Sequence, residues 1–267
     1  MRQQSSLARY LASAAVAAML AVPLGGCQTT GSDITGSIGG NKSDALAADP
    51  KAAVEVYGER YRANPKNAEA ALRYGQALRA AGMRSQAVAV FEQATIANPG
   101  NKTLLAGYGR ALADAGSFQR AFEVLGSAHT PENPDWRILS VQGTTLDQMG
   151  RHDDARGYYA SALKIKPEDP TVLSNLGLSY VLSKELPKAE ETLRRAYGAG
   201  ASTDPRVRQN LALVVGLQGR FAEAESIVRA DLPAEEAAAN AAYLRQMLSR
   251  KDGPRLGAQD ADAPGRS

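Results

Sequence analysis

The clearest internal repeat in this chain runs through LDQMGRHDDARGYYASALKIKPEDPTVLSNLGLSYVL, residues 146–182. Within it, Ala155 is followed four residues later by Tyr159 and seven residues later by Ala162. The small residue recurs every 34 residues, with a last interval of 35, at Ala87, Ala121, Ala155, Ala189 and Ala224. Twelve residues before each of these lies a second small residue: Gly75, Gly109, Gly143, Gly177 and Ala212. Such a fixed period indicates a repeated structural unit.

A period of 34 residues with small side chains at two fixed positions is the tetratricopeptide pattern, in which each repeat is a helix–turn–helix. The small positions mark where the two helices approach, so we expect Gly143 to face Ala155. Glycine occupies the turn at Gly82, Gly116, Gly150 and Gly219, whereas the fourth repeat has Lys184 there and should have a strained or altered turn.

The sequence therefore predicts an all-α fold, a tetratricopeptide-repeat (TPR) superhelical solenoid. Its five repeats should span residues 68–101, 102–135, 136–169, 170–204 and 205–233. Residues 49–67 match the second half of a repeat and predict an N-terminal partial repeat. Residues 234–250 carry an apolar stripe at helical spacing and predict a capping helix. Residues 251–267 have too little apolar content to fold and predict a disordered tail.

The N-terminus has the layout of a secretory signal. Arg2 and Arg9 precede a run of 13 mostly apolar residues, Tyr10–Val22. This run is shorter than the ~20 residues of a membrane-spanning helix. LGGC, residues 24–27, resembles a bacterial lipobox, which implies cleavage after residue 26 and lipidation of Cys27. Gln28 resembles the outer-membrane sorting pattern. We expect residues 1–26 to be a signal peptide and 27–48 a flexible, lipid-anchored linker.

Composition narrows the classes of function. Cys27 is the single cysteine, which excludes an intramolecular disulfide framework and a multi-cysteine zinc site. The net charge is +3 and the charges interleave, so we expect no nucleic-acid partner. His129 and His152 are expected to be solvated residues of connections and turns. With no nucleophile–base set in view, we predict no catalytic residues, no metal, no cofactor and no small-molecule substrate.

The candidate binding residues are polar side chains on the first helix of each repeat, at positions expected to line a concave groove. In this register they are Arg73, Gln76, Arg79, Arg110, Asp114, Arg137, Ser140, Thr144, Asp147, Ser174, Asn175, Gln209 and Asn210. Asn175 and Asn210 stand at the same position of consecutive repeats, where an amide can bond both groups of an extended peptide backbone. The set is similar in kind to the peptide clamps of chaperone adaptors, although it matches them only in part.

The chain as a whole resembles the TadD family, tetratricopeptide lipoproteins of the tight-adherence (Flp) pilus assembly system. The resemblance covers most of residues 50–249 and is most specific in DPRVRQNLALVVGLQGRFAEAESIVRADLPAEEAAANAAYLRQML, residues 204–248. It implies a non-enzymatic assembly factor, lipid-anchored at the outer membrane and facing the periplasm, whose partners are the secretin or other Tad components. Two alternatives stay open: a general periplasmic adaptor or chaperone for envelope proteins, and a regulatory subunit of a cell-wall enzyme.

Overall fold

The computed structural model describes residues 49–199 and 204–251, and within these ranges it contains twelve helices and no strand. The predicted all-α fold is therefore confirmed. The chain divides into two compact units, Met1–Thr130 and Pro131–Ser267, which are taken separately below. The predicted signal peptide, Cys27, the predicted linker and most of the predicted tail lie outside the described residues.

The helices follow the predicted alternation of first and second helices. In the N-terminal unit they are α1 (Pro50–Ala63), α2 (Ala68–Ala80), α3 (Arg84–Ala97), α4 (Lys102–Asp114) and α5 (Phe118–Gly126). In the C-terminal unit they are α6 (Trp136–Gln148), α7 (His152–Ile165), α8 (Pro170–Leu182), α9 (Leu186–Gly198), α10 (Pro205–Leu217), α11 (Phe221–Val228) and α12 (Ala234–Lys251). Each first helix packs against its own second helix, and in both units neighbouring first helices also touch.

First and second helices begin differently. The first helices follow an Asn or Asp whose side chain accepts a backbone N–H of the first turn: Asn67, Asn101, Asp135, Asp169 and Asp204. These caps satisfy donors that have no partner inside the helix. The second helices α3, α5, α7, α9 and α11 have no side-chain cap and start two residues after the turn residue that has positive φ. The Asn or Asp residue in the sequence thus marks where each helix pair begins.

The turn inside each pair needs one residue with positive φ. Gly150 has φ 76°, and the next residue, Arg151, donates its backbone N–H to Leu146 O at 2.9 Å, which closes the end of α6. Lys184 adopts the same conformation with φ 63°, and Glu185 N bonds Tyr180 O at 2.9 Å. The expectation for the fourth repeat was a strained or altered turn. The backbone is not altered, but it is strained, because a lysine occupies a conformation that favours glycine.

The small residues mark close approaches, but to a different partner than expected. A Cβ placed on Gly143 would lie 2.5 Å from Cε1 of Tyr159, and its three nearest atoms all belong to that ring rather than to Ala155. In the N-terminal unit the ring of Phe91 reaches both Gly75 and Gly107, where a Cβ would lie 2.5 and 2.4 Å away. The glycines of α2, α4, α6 and α8 that meet a close neighbour thus make room for a large side chain of a second helix.

The last helix, α12, packs on α10 and α11. Its Ala237 and Ala241 are buried, and Cδ1 of Leu244 lies 2.7 Å from where a Cβ on Gly216 would be. The helix thus covers the apolar side of the final pair, as a cap must. Among the residues described, none of the helices has the length and apolar content that a membrane crossing requires.

Candidate partner-binding surface

In the C-terminal unit, two hydrogen bonds join the first helices α6, α8 and α10 side by side. Asn175 donates from Nδ2 to Oγ of Ser140 at 3.1 Å, and Asn210 donates from Nδ2 to Oγ of Ser174 at 2.9 Å. Both serines are buried and both asparagines are half-buried. We call this pair of bonds the amide ladder. Four residues predicted to contact a partner are therefore brought together, but the serines are covered and part of each amide is already bonded.

The amide ladder fixes the register of the neighbouring helices. On α8, Thr171, Asn175, Leu178 and Leu182 share one stripe, because residues three and four apart lie on the same side of a helix. On α10 the matching stripe, 35 residues later, is Arg206, Asn210, Leu213 and Leu217. Sequence reasoning missed the four leucines because only polar side chains were selected at these positions. The sequence did contain a signal for them, because the leucines follow each asparagine at the same spacing in both helices.

The remaining predicted residues of this unit are exposed or half-buried, with one exception treated next. Arg137 is exposed and its guanidinium lies over the ring of Trp136, 4.5 Å from the ring centre. Gln209 is exposed. Thr144 is half-buried and donates its hydroxyl to Val141 O at 2.9 Å. Arg137 and Gln209 therefore offer polar groups to a partner.

The exception is Asp147, which is buried with only 8% of its surface exposed. Its Oδ2 accepts the Tyr159 hydroxyl at 2.9 Å, and its Oδ1 accepts the Ser179 hydroxyl at 2.8 Å. Nδ1 of His152 also lies 2.9 Å from Oδ1. Burial, reinforced by the Asp147 charge, raises the pKa of Tyr159 well above its usual range. The prediction that Asp147 lines a groove is wrong, because its carboxylate faces the interior between α6, α7 and α8.

His152 also differs from the expectation of a solvated turn residue. It is the first residue of α7, its side chain is 25% exposed, and it contacts the buried carboxylate of Asp147. A buried carboxylate needs hydrogen-bond donors to offset the loss of water. Three groups approach this one: Nδ1 of His152 and the hydroxyls of Tyr159 and Ser179. We call Asp147, His152, Tyr159 and Ser179 the Asp147 hub. It links three consecutive helices.

The corresponding surface of the N-terminal unit is charged. Nε of Arg79 on α2 lies 2.6 Å from Oδ2 of Asp114 on α4, and both side chains are partly buried. Arg73 and Gln76 are exposed on α2, and Arg110 is half-buried on α4. Two predicted residues are therefore brought together as an ion pair across neighbouring first helices.

The second helices of the C-terminal unit carry an ion network centred on Glu190 of α9. Its carboxylate contacts the guanidinium of Arg220, accepts from Gln218 Nε2 at 2.7 Å and accepts from Arg194 Nε at 2.9 Å. These bonds, that of Arg220 foremost, lower the pKa of Glu190 to about 2. The network joins α9 to the start of α11.

Within residues 49–199 and 204–251, the His, Cys, Asp and Glu side chains form no group of three that could hold a metal ion.

Paired helices that repeat every 34 or 35 residues, with neighbouring first helices in contact within each unit, define a helical-repeat protein, a class that presents its surface to partners. A family model described as tetratricopeptide repeat matches residues 79–134 and 141–205, and a second model of the same description matches residues 45–106. Together they cover more than half of the chain. The chain belongs to the tetratricopeptide-repeat family.

Solved structures agree with this fold. PilW, described as a widely conserved type IV pilus biogenesis factor, matches with 17% identity and a TM-score of 0.64, over 74% of this chain and 93% of that one. A chain of the Cut9–Hcn1 complex of APC/C matches with 16% identity and a TM-score of 0.63, over 80% of this chain but only 42% of that one. A thermophilic TPR protein from Thermus thermophilus matches with 24% identity and a TM-score of 0.57, over 69% of this chain and 98% of that one. The comparison with curated protein sequences finds no match.

Proposed function

We propose that this tetratricopeptide-repeat scaffold for protein–protein interaction assists the assembly or localisation of a Flp/Tad pilus machine. It does so as a non-enzymatic lipoprotein, anchored through Cys27 to the outer membrane and facing the periplasm. The observation that carries the proposal is the TadD-like sequence of residues 204–248, which in the structure forms α10, α11 and most of α12. The lipobox-like LGGC supports the anchor. That PilW is itself a pilus biogenesis factor is consistent with the proposal, although the likeness concerns only the fold.

The anchor has a direct test. Cys27→Ser removes the thiol that a lipobox would present for acylation, so we expect an unprocessed precursor without acyl label. The measurement is metabolic labelling with a fatty-acid analogue, followed by separation of inner and outer membranes. A variant that is still cleaved after Gly26 and remains in the outer membrane would contradict the anchor.

The partner is tested by crosslinking in the cell. A photoreactive amino acid at Gln209, exposed on the first helix α10, should capture a Tad component such as the secretin, identified by mass spectrometry. The control places the same amino acid at Ala160, exposed on the second helix α7. Capture of a cell-wall hydrolase or of many envelope precursors would instead favour the regulatory or general-adaptor function.

The role of the asparagines is separated from that of the amide ladder by two double variants. Asn175→Ala with Asn210→Ala removes both the ladder and the amide oxygens. Ser140→Ala with Ser174→Ala removes the ladder alone. We expect both to lower the free energy of unfolding by a similar amount, about 1–2 kcal/mol, because each loses two hydrogen bonds. Only the asparagine pair should weaken partner capture. If the asparagine pair and the serine pair capture the partner equally well, the amides are not part of the binding site.

A further inference from the structure

The first-helix side of the C-terminal unit carries an apolar patch beside its amides. Leu178 and Leu182 follow Asn175 on α8 by one and two helical turns, and Leu213 and Leu217 follow Asn210 on α10 in the same way. Because α8 and α10 touch and the amide ladder aligns them, the leucines lie level in pairs. We call these four the leucine quartet. At 1.5 Å per residue and ~8–10 Å between axes, it spans about 6 by 10 Å.

The leucine quartet is specific to this unit. All four side chains are half-buried, so each keeps apolar surface that a partner could remove from water. In the first two repeats the same positions hold Gln76 and Ala80 on α2, then Arg110 and Asp114 on α4. The repeat fold therefore does not require leucine at these sites.

The groups beside the leucine quartet indicate the form of its ligand. Asn175 and Asn210 each use Nδ2 in the amide ladder, and within the described residues no hydrogen bond reaches either Oδ1. An amide oxygen so placed can accept a backbone N–H. An extended segment offers free N–H groups along its whole length, whereas a helix offers them only in its first turn, because the others are bonded within the helix.

Charge at the edge adds a second requirement. Arg137 is exposed on α6 at the end of the surface where the first helices begin, and no carboxylate of the described residues forms an ion pair with it. Arg206, the matching residue on α10, is already paired with Asp204 at 2.9 Å. The helix starts themselves are already capped by the carboxylates of Asp135, Asp169 and Asp204, so the positive group that this edge offers to a ligand is the guanidinium of Arg137. An acidic side chain fits this edge.

We propose that the leucine quartet and the amide oxygens of Asn175 and Asn210 bind an extended, aliphatic segment of a protein partner, with an acidic residue toward Arg137. This rests on the proposed function and names the chemistry of the partner at that surface. The segment lays aliphatic side chains on the leucines while its backbone N–H groups reach the amide oxygens.

The test uses a fluorescein-labelled 12-residue peptide with leucine at alternate positions and two aspartates at one end, titrated by anisotropy into the full chain in detergent. Leu178→Gln with Leu213→Gln should weaken binding at least about tenfold, because the aliphatic burial is lost. The matched control is Ile165→Gln, an exposed aliphatic residue of α7, which should bind as wild type does. Arg137→Glu, at an exposed site, should weaken this probe but not one with asparagine in place of aspartate.

Three results would overturn the inference: equal binding of a probe with serine for leucine, equal loss in the control, or tighter binding of a probe locked as a helix. Circular dichroism and urea unfolding verify that each variant is folded, and the Arg137 variant stays decisive if the leucine pair does not fold.

The two proposals, the pilus function and the segment chemistry, can fail separately. Crosslinking of a Tad component at Gln209 without probe binding refutes only the segment chemistry, whereas probe binding without any Tad component refutes only the pilus assignment.

Discussion

Replacing Gly143 by alanine tests the tightest of the described glycine sites in the C-terminal unit. The new Cβ would lie 2.5, 2.8 and 2.9 Å from three ring atoms of Tyr159. That ring cannot easily move away, because it is fully buried and its hydroxyl is bonded to Asp147 at 2.9 Å. Overpacking of a core typically costs about 1–3 kcal/mol. Against this, alanine in a helix interior is favoured over glycine by about 1 kcal/mol.

Gly157 provides the matched control. It lies in the interior of α7, is exposed, and a Cβ there would meet nothing within 4 Å. Gly157→Ala should therefore raise the free energy of unfolding by about 0.5–1 kcal/mol through helix propensity alone. The same propensity gain applies to Gly143→Ala, so the difference between the two variants isolates the clash with Tyr159. We expect that difference to be about 1–3 kcal/mol.

The assay is urea unfolding followed by circular dichroism, with the free energy of unfolding extrapolated to water for wild type and both variants. If Gly143→Ala stabilises the protein as much as Gly157→Ala does, the contact between α6 and the Tyr159 ring is not as described. A change in the urea dependence of Gly143→Ala alone would show that the array no longer unfolds as the same unit.

Three further outcomes follow from the geometry. Lys184→Gly should raise the free energy of unfolding by about 1 kcal/mol, because glycine tolerates φ 63°; Lys184→Ala should bring no such gain, and urea midpoints decide it. Tyr159→Phe removes one donor from the buried carboxylate of Asp147 and should cost about 1–3 kcal/mol, so an unchanged Tm would contradict the hydrogen bond. Glu190 has a folded pKa of about 2 against 4.5 unperturbed, so its ion network stabilises the protein above about pH 5 and loses that effect as pH falls toward 2. Glu190→Gln should cost about 1–2 kcal/mol at pH 7, and this difference from wild type should shrink in unfolding curves measured toward pH 3.

The sequence predicts the fold because its signals are local and repeated. Small residues at a fixed period show where helices approach, and an Asn or Asp before each first helix shows where it begins. The same signals do not reveal which side chain fills the space. Gly143 gives no sign of whether its neighbour is Ala155 or Tyr159, since both lie on the facing helix and only the tilt of the pair decides.

For the candidate site, the sequence predicts on which side of its helix each residue lies, but not how deeply its side chain is buried. The repeat register correctly places Asn175 and Asn210 level on neighbouring helices, and the amide ladder shows that they align. It places Asp147 on the same side, yet the carboxylate turns inward because Tyr159 and Ser179 supply hydroxyl donors from two other helices. Such a meeting of residues 12 and 32 positions apart depends on packing, which a helical period does not encode.

The Asp147 hub has a consequence for how the C-terminal unit opens. A repeat array commonly frays from its ends, one helix at a time, because each repeat contacts only its neighbours. Withdrawing α7 or α8 alone would leave the Asp147 carboxylate without one of its donors, and withdrawing α6 would leave the hydroxyls of Tyr159 and Ser179 without their acceptor. These three helices should therefore exchange their amide protons with solvent as a single block. The terminal helix α12 has no comparable charged anchor among its buried residues, Ala237 and Ala241, and its amides should exchange first.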